Sequence, residues 1–369
     1  MTARFLLRGQ LRYLTDQGFD VAVVAGDDDG MTDVAAREGV ATHVVPMARE
    51  IAPRADVRSL AGLTHLLRRL QPDLVNASTP KAGLLGTVAA RLAGVRKRVY
   101  TVRGLRLETL TGRRRALMTM TERVAAQAAT DVVSVSGSLR AAFSAATRFP
   151  EHRIDVLGHG SSNGVDLTRF GPLAAEDRRR ARRELGYEDG DFVVGFVGRL
   201  TADKGIETLL NAFSRLATGM PRARLLLIGG LEDGDPVSAA AQRRLVDDPA
   251  VTWLGARGDP EAFYPLFDVH AFPSRREGFP NAPLEAAACE VPTLGLRVTG
   301  TVDAVVHGET GLLSDAGDRD GFFEHLREYA TNPDRRRAHG ARARQRAVAD
   351  FSNRDVWSRW ATYYRSVLA

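Results

Sequence analysis

Glu277 and Glu285 flank the segment Glu277-Gly278-Phe279-Pro280-Asn281-Ala282-Pro283-Leu284-Glu285, a loop that opens a helix. Asn281 suits an N-cap and Pro283 is tolerated in a first turn, so free backbone N–H groups face whatever docks there. A helix N-terminus attracts phosphate oxygens, and carboxylates accept hydrogen bonds from sugar hydroxyls. Acids on both sides of a phosphate-binding helix start are what a nucleotide-sugar needs. Glu pairs also arise by chance in any acid-rich helical chain, so this spacing requires a companion.

Upstream there is one. Phe192-Val193-Val194-Gly195-Phe196-Val197 is an apolar run that predicts a strand buried on both faces. It ends in Gly198-Arg199-Leu200-Thr201-Ala202-Asp203-Lys204-Gly205, and a helical pattern follows over 206–216. Strand, basic glycine-bearing loop and helix together hold diphosphates at the carboxyl edge of a parallel sheet. Lys204 is one of only three lysines, with Lys81 and Lys97, in a chain that otherwise uses Arg. A compact ammonium suits a point contact to phosphate. The plain alternative is a solvated loop with two surface cations.

The elements that must position these groups alternate along the chain. Strand-like runs at 21–25, 74–76, 99–102, 132–135 and 154–157 are separated by helical patterns. A Gly/Ser-rich stretch over 158–164 reads as a linker. Five more strands follow at 192–197, 225–228, 251–254, 269–272 and 293–296. Helix returns from 335 onward, where Trp357, Trp360, Tyr363 and Tyr364 form a stripe at helical spacing that reads as a packing face.

Bulk properties are those of a soluble globular protein of two domains: 369 residues, 44% hydrophobic and 26% charged. The lone cysteine, Cys289, excludes an internal disulfide, makes a reducing cytoplasm the default, and reads as helix packing. No apolar run approaches the roughly 20 residues of a spanning helix. The net charge of +6 is uneven. Residues 1–165 carry 23 Lys+Arg against 15 Asp+Glu, and the remainder carries 28 against 30. The clusters Arg96-Lys97-Arg98 and Arg113-Arg114-Arg115 favour anionic lipid headgroups or a phosphorylated acceptor, or serve as a solubilising surface. Without interleaved aromatics or a nucleic-acid-binding signature, nucleic acid is not expected. Asp27-Asp28-Asp29 reads as a solvated turn, and no metal site is expected.

Further segments follow in order: Asn163-Gly164-Val165-Asp166 with Phe170, Trp253-Leu254-Gly255, Asp268-Val269-His270-Ala271-Phe272-Pro273-Ser274, Val291-Pro292-Thr293, and His307-Gly308-Glu309-Thr310-Gly311-Leu312-Leu313. With the glutamate pair and the Arg199/Lys204 loop, this series resembles the retaining glycosyltransferases of family 4. Thr79-Pro80-Lys81-Ala82-Gly83 and Tyr100-Thr101-Val102-Arg103-Gly104-Leu105-Arg106 are similar to their bacterial capsule, exopolysaccharide and lipid-linked-oligosaccharide branch. The resemblance implies the α/β GT-B fold, two Rossmann-like doubly wound domains facing a central cleft. Residues 1–163 would form the acceptor domain and 164–350 the nucleotide-sugar domain. Residues 351–369 would form a helix packing back on the first domain.

By the same resemblance, Arg199 and Lys204, beside Gly198, would hold the donor diphosphate. Glu285 would bind the ribose hydroxyls, and Glu277 the donor sugar, without acting as a nucleophile. Gly278, Phe279 and Pro280 would shape the wall. The amides of Ala282 and Leu284 would meet phosphate after the Asn281 cap, and backbone from Gly255 to Arg257 would meet the base. No cofactor and no metal are implied. The donor would be a UDP-sugar supplying a hexose or N-acetylhexosamine to a lipid-linked or growing glycan, with peripheral contact at the inner face of the membrane. Arg103 stands where many relatives carry histidine; a guanidinium cannot act as a base, but it can clamp an acceptor or donor phosphate.

One departure concerns the start. The family opens on a buried strand and a glycine-rich loop, whereas here Met1-Thr2 leads almost directly into 5–14, which looks like the first helix. Either the start is shortened, which is the favoured expectation, or the sheet closes its gap. Two other functions compete: a UDP-sugar 2-epimerase of similar layout, which needs no acceptor, and a non-catalytic UDP-sugar-binding subunit.

Overall fold

The run Phe192–Val197 forms a strand buried along nearly its whole length, because helices cover both faces of its sheet. The computed structural model describes residues 6–26, 30–47 and 52–369. Within them every strand pair is parallel. The chain divides into two units, Met1–Gly164 with Asn353–Ala369, and Val165–Ser352.

The first unit holds strands β1 (Ala22–Ala25), β2 (Ala41–Val44), β3 (Leu74–Ser78), β4 (Lys97–Val102), β5 (Asp131–Ser134) and β6 (Ile154–Val156). Its helices are α1 (Gln10–Asp16), α2 (Met31–Glu38), α3 (Pro53–Leu70), α4 (Pro80–Leu92), α5 (Gly112–Ala128) and α6 (Gly137–Thr147). The helix expected over 5–14 begins only at Gln10. Gly9 stands before it at φ 79°, and its amide is capped by the buried Glu38 carboxylate at 2.9 Å. The strands form two sheets, β1-β2 and β3-β4-β5-β6. A sheet that closes its gap is therefore not what is found among the described residues: β1 pairs only with β2, and β3 only with β4. Residues 1–5 and the Asp27-Asp28-Asp29 turn lie outside the described residues.

The second unit holds β7 (Phe192–Val197), β8 (Ala223–Ile228), β9 (Val251–Trp253), β10 (Val269–Phe272), β11 (Thr293–Arg297) and β12 (Gly311–Asp315). Helices α7 (Ala175–Glu184), α8 (Ile206–Gly219), α9 (Ala239–Asp247), α10 (Asn281–Ala288), α11 (Thr301–Ala304), α12 (Arg319–Thr331) and α13 (Pro333–Asp350) accompany them. The sheet order β12-β11-β10-β7-β8-β9 is doubly wound, and its direction reverses between β7 and β10. That switch point is where open α/β sheets leave a crevice at their carboxyl edge. The core runs from Phe196, Leu209 and Phe213 through Leu225 and Leu227 to Leu294 and Phe322. Asp268 anchors β10 at the other end, where it is buried and takes bonds from Arg182 at 2.7 Å and Arg178 at 3.1 Å.

Helix α14 (Asn353–Leu368) returns to the first unit. Trp360 packs against Val99 and Val133 of the central strands. Trp357 packs at a tilt against Tyr13 and donates to Asn163 Oδ1 at 2.6 Å, so the aromatic stripe spans both the sheet and α1.

Candidate active site

Four loops meet at the carboxyl edge of the second sheet. Gly198 leaves β7 and Gly229 leaves β8, so close together that a Cβ on Gly229 would stand 1.7 Å from the Gly198 carbonyl oxygen. The Gly229 amide donates to Gly255 O at 2.7 Å, and Trp253 Nε1 donates to Gly229 O at 2.8 Å, which ties in the loop after β9. Across the switch point, a Cβ on Gly205 would meet Pro273 O at 2.1 Å. Glycine is required wherever backbones approach like this.

This packing brings the basic loop and the glutamate loop together. Lys204 Nζ donates to Glu277 Oε1 and lies over the Phe272 ring. Ser274 Oγ donates to the same Glu277 oxygen at 2.6 Å. Asp203 joins the loops a second time, accepting from Arg276 at 2.5 Å, while its carbonyl accepts from the Arg275 amide at 2.9 Å. Arg199 is exposed and paired with Glu232. Both basic side chains named by the sequence are therefore held by carboxylates with which a bound diphosphate would compete.

Glu285 sits on α10, with Oε2 accepting from the Tyr264 hydroxyl at 2.6 Å. Burial raises its pKa above the ordinary carboxylate value, and the Tyr264 bond and the charge of Arg169 pull it back down. Tyr264 itself is fully buried, edge-on to Phe170, Phe267 and His270. Burial and the adjacent Glu285 charge keep its hydroxyl a donor.

One reading is corrected. Asn281 is not the N-cap: Pro280 occupies that position in extended backbone, without a side-chain bond, and Asn281 is the first helical residue. Its Oδ1 is buried without a partner. The helix start is entered through Pro280, and Pro283 follows in the first turn; neither has an amide, so the donors at this helix start are the amides of Asn281, Ala282 and Leu284. Leu284 is buried one turn on. Phe279 is buried, and its ring packs on Phe351 at 5.3 Å. Gly255 lies at φ 68° beside the site, while Arg257 is exposed and forks onto Asp259 at 3.0 Å. Arg103 belongs to the first unit.

Sequence reasoning missed Tyr264, Ser274 as a partner of Glu277, Asp203, Glu232 and Gly300. Ser274 and Asp203 lie inside quoted motifs, but nothing in their spacing specifies which side chain they meet. Gly300, at φ 76°, follows β11, and a Cβ there would stand 2.5 Å from Gly278 O. The buried Cys289 thiol is pushed up to about 12 by burial, which leaves it without thiolate character. Among the described residues no group of three or more His, Cys, Asp or Glu is placed to hold a metal ion.

Comparison with known proteins follows the same division. The profile described as "Glycosyltransferase Family 4" matches residues 7–169, and that described as "Glycosyl transferases group 1" matches residues 177–346. The capsular polysaccharide biosynthesis glycosyltransferase CapM of Staphylococcus aureus is 34% identical over 363 residues, covering 98% of this chain and 94% of that protein. A UDP-Gal:α-D-GlcNAc-diphosphoundecaprenol α-1,3-galactosyltransferase of Escherichia coli is 27% identical over 320 residues, covering 86% and 81%. Among solved structures, Anabaena HepE in complex with UDP and glucose superimposes with a TM-score of 0.81 at 22% identity, covering 99% of this chain and 96% of that one. Sucrose-phosphate synthase from Thermosynechococcus elongatus gives 0.82 at 21% identity, covering 98% and 92%.

Proposed function

The chain belongs to the family 4 glycosyltransferases and has their GT-B fold. From that premise we propose that it transfers a hexose or N-acetylhexosamine from a UDP-sugar to a lipid-linked or growing cell-surface glycan, with retention and without a metal ion. The observation that carries this reading is the Lys204–Glu277–Ser274 cluster at the switch point of the second sheet, in the loop that leads into the helix bearing Glu285. It puts an ammonium beside a carboxylate, which supports a site for phosphate and sugar hydroxyls side by side.

In this reading the donor diphosphate draws Lys204 from Glu277 and Arg199 from Glu232, and the amides of Ala282 and its neighbours complete its contacts. Glu277, released from the ammonium and still oriented by Ser274, binds hydroxyls of the donor sugar. Glu285, held by Tyr264, accepts from the ribose. The acceptor oxygen bonds to the anomeric carbon on the face from which the diphosphate departs. The carbon–phosphate oxygen bond breaks, and the acceptor proton passes to the leaving diphosphate. Lys204 and Arg199 offset the charge that grows there, so no protein nucleophile is used.

Peripheral membrane contact is proposed through α5. Its outer side exposes Leu117, Met120 and Val124 between Arg113, Arg114, Arg115 and Arg123, while its one acid, Glu122, is buried inward. An exposed apolar stripe with a basic border suits an anionic bilayer surface. No helix among the described residues is long and apolar enough to cross a membrane.

The test is thermal stability of the full chain against UDP, GDP, ADP and their sugar conjugates, followed by turnover. Selective protection by UDP, lost in Lys204→Ala, is expected, amounting to about 2.7 kcal/mol at a hundredfold excess over Kd. Glu277→Ala is expected to lower turnover by orders of magnitude. Near wild-type turnover in that variant, or a loss of activity in EDTA that magnesium restores, contradicts the assignment.

A further inference from the structure

Arg103 is the first residue beyond β4, one position past the pair Val102–Ser134 in the β4–β5 ladder. Register therefore sets it beside Val135, where β5 turns through Ser136 into α6. Its Nε and Nη1 are sealed from solvent and donate to nothing, although the residue as a whole is only half-buried and so stays reachable. Three N–H groups of a guanidinium are thus left unsatisfied. Burial pushes its pKa down to about 10, which keeps it protonated at neutral pH, and the one titratable neighbour that bears on it is Tyr364.

Tyr364 does not supply an anion. Its hydroxyl accepts from Asn76 Nδ2 at 2.6 Å, and burial raises its pKa. Asn76 in turn uses its oxygen to accept from Thr101 Oγ1 at 2.8 Å. These neighbours are satisfied among themselves and leave the guanidinium out. Among the described residues, every other arginine with a largely buried head has an acceptor: Arg182 meets Asp268 and two carbonyl groups, and Arg346 meets the carbonyls of Asp303 and Ala304. A buried, unpaired cation is costly unless an anion arrives to share it.

We propose that Arg103 is the core of an anion site in the first unit that binds the diphosphate of a phosphorylated acceptor. This rests on the transferase reading. The donor diphosphate is the other source of the same chemistry, but its cations, Arg199 and Lys204, stand in the second unit with their own loops.

The experiment melts the full chain, and its Arg103→Gln and Arg103→Lys variants, with UDP, inorganic diphosphate and farnesyl diphosphate. Each of the three is also made in a Lys204→Ala background to disable the donor site. In that background, inorganic diphosphate and farnesyl diphosphate are expected to raise the melting temperature when Arg103 is present. Arg103→Lys should keep part of the effect and Arg103→Gln none. Without ligand, Arg103→Gln should melt at or above the parent, since an unpaired buried charge has been removed. With Lys204 intact, UDP should protect Arg103→Gln as well as the parent.

Diphosphate protection that survives Arg103→Gln, or that disappears with Lys204→Ala alone, overturns the site. A marked fall in the ligand-free melt of Arg103→Gln also overturns it, by making the guanidinium structural. UDP protecting none of the proteins defeats the transferase reading itself. UDP protecting parent and Arg103→Gln while neither diphosphate protects any variant defeats only the Arg103 site.

Discussion

At the scale of single residues, buried carboxyls make the sharpest predictions. Glu122 accepts from Tyr100 through Oε2, has no partner at Oε1, and is pushed from 4.5 to about 7 by burial. A carboxyl raised on folding favours its protonated form, so its stabilising contribution is full below the unfolded value and is lost as pH rises through about 7. Glu122→Gln should come nearest to wild type near about pH 4 and exceed it by roughly 1–3 kcal/mol near about pH 8, read from urea unfolding at the two pH values. Equal stability at both ends would remove Glu122 from the pH response. Glu285 differs in that the proposed function requires its ionised form, to accept from the ribose. Losing the Tyr264 bond removes an influence that lowers its pKa, so Tyr264→Phe should move the acid limb of kcat/KM to higher pH. KM for the donor should rise roughly three- to tenfold. An unmoved limb would mean that Tyr264 only fills space. Glu277, Glu285, Arg199 and Lys204 were all legible as residue types at telling spacings. Tyr264 was not, because its link to Glu285 crosses from a 3-10 turn to a helix and leaves no local pattern.

At the scale of elements, ten strands were legible as apolar runs, and two were not. β2 (Ala-Thr-His-Val) and β12 (Gly-Leu-Leu-Ser-Asp) are short and mixed in polarity, and each becomes a strand through its parallel partner, β1 or β11. The helix start at α10 shows a similar limit. Asn281 has the right chemistry for a cap, but Pro280 takes the position because its fixed φ enters the helix directly. The loop after β11 carries the element-scale prediction. Gly300→Ala must accommodate a side chain at φ 76° against the Gly278 carbonyl, at a cost of about 1–2 kcal/mol or a shifted glutamate loop. Since Glu277 rides on that loop, kcat/KM should fall at least about tenfold while the melt stays cooperative. Unchanged kinetics would show that the loop does not set the position of Glu277.

At the scale of the whole molecule, α14 belongs to the first unit although the chain reaches it only after completing the second. Its aromatic stripe was legible, and its packing on Val99 and Val133 gives the stripe its place. The opposite kind of surface, the outer side of α5, carries the last prediction. Met120→Glu together with Leu117→Glu should weaken sedimentation with anionic vesicles by at least about tenfold without altering UDP protection. Replacing Arg113, Arg114 and Arg115 should remove about 1 kcal/mol each and make the residual binding insensitive to salt. Wild-type protein that ignores anionic vesicles would leave α5 as a solvated face.

The sequence by itself determined two parallel α/β units, a diphosphate-type loop after β7 and a carboxylate pair around a helix start. Those features depend on local periodicity and on residue types within one short segment. The tertiary structure alone decided that Lys204 and Ser274 share one oxygen of Glu277, that Tyr264 holds Glu285, that Gly300 braces the glutamate loop, and that Nε and Nη1 of Arg103 are buried without a partner. Each of these joins residues through strand order and loop packing, and a doubly wound sheet places side by side segments that are far apart in the chain.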